Sequence, residues 1–202
     1  MTFSSLRSDR GQTLPIYIWV TGILLFVAFA FFAFAQAASA RNGAQSAADA
    51  AALAAAQDAR DELVDGLGAS IGEGDDWLDW LDGDKFTGEG AEGAADALAA
   101  DNDSSVIGFG PADVNGYPGF RVEVETNYTV GDSIIPGTES KHAQAEAIAI
   151  VKPRCEVAPS TDPEKAVEFD CDDGGSFEID PDDFELDDLP DASALFSVHL
   201  AD

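Results

Sequence analysis

The chain has 202 residues, room for one domain and an anchor, and its 39 acidic and 10 basic side chains give a formal net charge of −29. A surface this acidic repels phosphate backbones, so no nucleic-acid partner is expected. The acid is unevenly spread: from Pro153 onward only Arg154 and Lys165 oppose sixteen Asp and Glu, whereas Arg7, Arg10 and Arg41 lie at or beside an apolar span.

That span, Leu14 to Ala35, is 22 residues without a charge. About 20 apolar residues cross a bilayer as a helix, and a helix satisfies every backbone N–H and C=O within its own segment. Pro15 falls in the first turn, where its missing N–H costs little. Tyr17 and Trp19 sit where amphipathic rings prefer the membrane interface. The basic N-terminus predicts residues 1–13 in the cytoplasm, residues 14–35 as a transmembrane helix and the remainder outside. A cleaved signal peptide is the rival reading, and it would make the remainder a secreted acidic module that binds cations or cell-envelope material. Arg7 and Arg10 would form its basic start and Ala38-Ser39-Ala40 its cleavage site. The length of the span favours retention, because an export signal usually carries a shorter apolar core.

From Gln36 to Leu63 alanine dominates, the best helix former. The spacing predicts an extracytoplasmic helix over 36–65, with Gly66 and Gly68 as its stop. Asn42, Gln45, Ser46 and Asp49 share one polar face, and the opposite face is nearly all Ala. Such a face buries little area but lets another backbone approach closely. Two readings follow: a stalk packed on its own domain, or a rod packed on copies or relatives of itself.

The basic start, "RGQTLPIYIWV", the apolar span and then "NGAQSAADAAALAAAQDA" resemble the N-terminal region of TadE/TadG-like proteins of Tad (Flp-type) pilus assembly. The resemblance covers about the first sixty residues. It implies a membrane-anchored, pilin-like component of a pilus or secretion assembly, with lipid and other pilus-assembly subunits as partners of the N-terminal helix. In pilins of that system the cleaved Gly is followed five residues on by Glu. Here Ile16 stands five residues after Gly11, which places the chain nearer the TadG-like branch and argues against that processing.

Residues 66–152 read as an α+β extracytoplasmic domain. In "EGDDWLDWLDG", Trp77, Leu78, Trp80 and Leu81 gather on one side of two helical turns, with Asp75 or Asp76 as N-cap. They form either a lid on a small core or a partner contact anchored by Trp77 and Trp80. A second short helix is expected over Ala91–Ala100, and an edge strand over Val106–Phe109. Phe120 to Val130 alternates strictly, as a half-buried antiparallel strand does. Lys141 to Val151 reads as its partner across a Gly/Pro-containing loop. Its face of Ala143, Ala145, Ala147, Ala149 and Val151 is small enough for the Ala-rich helix to lie close, a pilin-like arrangement.

Residues 153–202 read as an acidic region with a disulfide between Cys155 and Cys171 and a final strand over Leu195–Leu200. "DCDDGGSFEIDPDDFELDD" tests poorly as a calcium loop: Asp170, Asp172 and Gly175 fit an EF-hand, but Gly174 and Pro181 occupy ligand positions. A solvated acidic surface is the reading preferred, with loose cation binding left open. His142 and His199 stand near no nucleophile motif, and no metal, phosphate-loop or acid–base signature appears. No enzyme activity, cofactor or catalytic residue is therefore expected.

Overall fold

A computed structural model describes residues 13–73, 76–130, 140–158, 161–172 and 175–201. The expected cytoplasmic segment up to Gln12, the expected N-cap Asp75 and most of the loop expected before the second strand lie outside the described residues. Helix α1 (Thr13–Ser70) runs unbroken for 58 residues, about 87 Å at 1.5 Å per residue. Gly66 and Gly68, expected to stop it, lie inside it. They provide room instead: a Cβ on Gly66 would stand 2.3 Å from the Trp80 ring, and one on Gly68 2.8 Å from Leu186. The helix ends at Ser70, and Gly72 takes the left-handed φ of +82° that a helix end favours.

Two short helices follow, α2 (Trp77–Leu81) and α3 (Ala91–Asp101). Next come β1 (Ser104–Val114), β2 (Tyr117–Thr129) and β3 (His142–Pro153). The chain continues through β4 (Cys155–Glu156), β5 (Val167–Cys171) and β6 (Ser176–Ile179), and closes with α4 (Ala192–Leu195) and β7 (Phe196–Leu200). The main sheet has four strands in the order β1-β2-β3-β7, antiparallel throughout. The architecture is α+β: one long N-terminal helix on an antiparallel sheet. The last strand returns to β3 as its alternation predicts, pairing Val198 with Val151 and Phe196 with Pro153.

The distal part of α1 lies across β3 and β2, with α3 on another side. Ala44, Ala47, Ala48, Ala51, Ala52, Ala55 and Ala56 are all fully buried. Opposite them β3 offers buried Ala147 and Ala149, and α3 offers Ala91, Ala95 and Ala99 at helical spacing. Each methyl contributes little hydrophobic area, but small faces bring backbones close and multiply dispersion contacts. Larger groups fill the far end: Leu63, Leu67, Trp77, Phe120 and Phe196 are buried there. Phe120 stacks on Phe109 with ring centroids 5.1 Å apart and lies against Phe86 at 5.3 Å. Beyond Ala40 the alanine face packs on its own domain, as the stalk reading expects.

The acidic C-terminal region is more ordered than a solvated surface. β4, β5 and β6 form a separate three-stranded sheet. In β5, Val167, Phe169 and Cys171 are buried while Glu168 and Asp170 point out. Phe169 meets Phe177 across the hairpin at 5.9 Å. Carboxylates on one face therefore coexist with a packed face on the other.

Two glycine substitutions test this packing in opposite directions. A Cβ at Gly119 would stand 2.0 Å from the Ala149 carbonyl oxygen, so Gly119→Ala must part β2 from β3. It is expected to lower stability by about 1–3 kcal/mol or more. Gly93, exposed within α3, has nothing within 4 Å of an added Cβ. Gly93→Ala is expected to raise stability by about 0.5–1 kcal/mol through helix propensity. Thermal unfolding of the full chain in detergent measures both.

Candidate functional site

From Leu14 to Ala35 the proximal part of α1 leaves its large apolar side chains uncovered by its own domain. Every large apolar side chain from Leu14 to Phe34 is exposed, from 48 % at Val20 to 75 % at Phe34. Burial begins abruptly at Ala40, which is 4 % exposed. The uncovered apolar run from Leu14 to Ala35 spans about 33 Å, enough for a hydrocarbon core of about 30 Å. Midway along it, Ile18, Trp19, Ile23 and Phe26 border an apolar notch floored by Gly22. A continuous apolar surface on this scale is not kept in water by a soluble monomer.

The cysteines and tryptophans of the sequence analysis occupy a different part of the molecule. Cys155 and Cys171 face each other directly across β4 and β5 and are joined by a disulfide. Trp77 is fully buried, and its indole N–H donates to the Pro163 carbonyl at 3.1 Å. Trp80 is half-buried over Gly66. The partner-contact reading of Trp77 is corrected accordingly: the indole is spent inside, tying α2 to the acidic region, and α2 serves as a lid. Asp76 caps α2 by position without a side-chain hydrogen bond.

The acidic stretch Asp170–Asp188 forms the β5–β6 hairpin and a following 3-10 turn at Leu186–Asp188. Among the described residues no group of three His, Cys, Asp or Glu is arranged to hold a metal ion. His142 Nδ1 lies 2.6 Å from the Thr126 carbonyl, so that imidazole is engaged in joining β2 to β3. Asp82, beyond α2, has its pKa raised by partial desolvation and by repulsion from Asp84 and Asp79. Asp162 is held below the ordinary carboxylate range by a hydrogen bond from Lys165 and one from the Glu164 backbone.

These features define a class: an α+β body carried on one N-terminal helix long and apolar enough to cross a membrane. The family model described as Tad, putative Flp pilus-assembly TadE/G-like, matches residues 11–58. The match covers the bare segment and the first half of the buried alanine helix, and it supports a role related to pilus assembly. No curated protein and no solved structure matches the chain.

Removing the disulfide frees the 16-residue separation between Cys155 and Cys171. A Cys155→Ala/Cys171→Ala double variant is expected to lose roughly 3 kcal/mol, with β4–β6 becoming protease-sensitive first. Differential calorimetry and limited proteolysis, compared with reductant-treated parent, check this. Asp82 gives a prediction of opposite sign. Its raised folded pKa means the ionised form destabilises the fold at neutral pH. The penalty is relieved as pH falls through the raised pKa and is gone below the ordinary value of 3.8. Asp82→Asn should therefore raise Tm at pH 7 by about 1 °C and give no gain near pH 3.

Proposed function

We propose that this protein is a single-pass, TadG-like component of a Tad/Flp-type pilus assembly or secretion machine. Its N-terminus faces the cytoplasm, its α+β body stands outside, and its role is structural, with no catalytic site. The observation that carries the reading is the coincidence of the family match with the bare apolar helix: residues 11–58 include the whole segment that its own domain leaves uncovered. That helix meets lipid and other pilus-assembly or pilin-like subunits in the membrane plane. Beyond Ala40 the alanine face is already occupied, so apolar subunit contacts through this helix fall within residues 14–39. Ile16 in place of the pilin-type Glu supports the TadG-like assignment and an uncut N-terminus.

The exported reading keeps one observation in its favour. A cut after Ala40 would remove the uncovered apolar segment together with the buried Ala40, leaving the rest of the buried helix. Intact mass and N-terminal sequencing of the cell-derived protein separate the two. Full length in a carbonate-resistant membrane fraction supports the anchor. A start at Arg41 in the medium supports export and overturns the proposal, and a start at Gln12 would revise the processing. Ile23→Arg, at the centre of the span, should sharply reduce membrane retention, since a central Arg costs about 2.5–3.5 kcal/mol in insertion.

A further inference from the structure

Basic side chains are scarce here, and nearly all of them are engaged. Of ten Lys and Arg, Arg7 and Arg10 lie outside the described residues. Arg60, Lys85, Arg121, Lys152 and Lys165 each lie within ion-pair distance of a carboxylate. Arg154 donates to the Ser193 carbonyl at 2.8 Å and has a further partner. Among the described residues Arg41 and Lys141 are both exposed, and neither lies in an ion pair. In a chain with 39 acids, two unpaired cations are an unexpected remainder.

The two lie at the same end of the body. The Tyr128 hydroxyl rests on Gly43, where an added Cβ would stand 2.1 Å from it. This pins the end of β2 to α1 two residues beyond Arg41. The Val130 N–H then donates to the Lys141 carbonyl at 2.8 Å, which brings Lys141 to that end. The described carboxylates nearest along the chain are Asp49 to Arg41, Glu125 to Tyr128 and Glu146 to Lys141, and Asp103 also reaches this end, its backbone carbonyl accepting from the Asn127 N–H. The acid-rich region joins the body at the opposite end of β3, where β7 and β4 follow Val151.

Helix continuity fixes the height of this end above the bilayer. Arg41 follows Ala35 by six residues, about 9 Å along the axis. The headgroup layer is roughly 5–7 Å deep on each side of the hydrocarbon. Long basic stems reach back across such a gap, and a phenol suits the same depth.

We propose that Arg41, Tyr128 and Lys141 form a membrane seat. The two cations bind the phosphates of anionic phospholipids in the leaflet facing the domain, and the body rests on the bilayer with its acid-rich part held away. The proposal rests on the membrane-span reading of residues 14–35, and the test separates the two. A fluorophore on Thr129→Cys, beside the seat, and one on Glu178→Cys, in the acidic sheet, are compared in full-length protein in phosphatidylglycerol-containing nanodiscs. The quencher is a nitroxide attached to lipid headgroups, and Trp19 quenching by a lipid carrying its nitroxide near the top of the acyl chain reports the span.

Position 129 is expected to be quenched several-fold more than position 178. That excess should fall about twofold or more in phosphatidylcholine alone, and likewise in the Arg41→Gln/Lys141→Gln background. Equal quenching at the two positions, or an excess indifferent to lipid charge and to both substitutions, would overturn the seat while a quenched Trp19 leaves the span intact. An unquenched Trp19 would remove both.

Discussion

Everything in this molecule hangs on close contact between small faces along one uninterrupted helix. The alanines of α1 meet Ala147 and Ala149 of β3 and Ala91, Ala95 and Ala99 of α3. None of these methyls buries much area alone. Their value is proximity: three backbones approach without a large side chain between them, and dispersion accumulates along the length. The same choice leaves little side-chain bulk to seal the far end, so Trp77, Phe120, Leu67 and Phe196 gather there.

Much of this was legible in the sequence, because the signals were periodic. A span of uncharged residues, an alanine run and a strict alternation over Phe120–Val130 each point to one backbone conformation, although burial alternates only as far as Thr126. The alternating small face of β3 even indicated what it packs against. Isolated glycines were misleading. Gly66 and Gly68 carry a stop signal locally, but Trp80 and Leu186, distant in sequence, need the space they leave. Tertiary packing overrode the local preference.

In the acidic region the three-stranded sheet β4–β6 escaped the sequence for a different reason. Its charge density dominates the composition, and the run after Asp170 invites comparison with cation loops. Yet Val167, Phe169 and Cys171 alternate with Glu168 and Asp170, a strand signal five residues long. Such short strands become stable only when something closes them, here the Cys155–Cys171 bond and the indole of Trp77 reaching Pro163. The burial of Trp77 itself could not be read from the chain, since an aromatic pair on a short helix suits a lid and a docking patch equally. The proximal helix presents the converse case. Its chemistry was plain from composition, and the structure adds where self-packing begins.

That boundary at Ala40 lies inside a helix, with no joint on either side of it. Whatever turns or pulls the greasy end therefore turns or pulls the sheet. Torque and axial load pass along a single stiff shaft, with no slack tether to absorb them. A protein built this way behaves as a lever, and the posture of its outer body reports directly on the tilt of its buried stem.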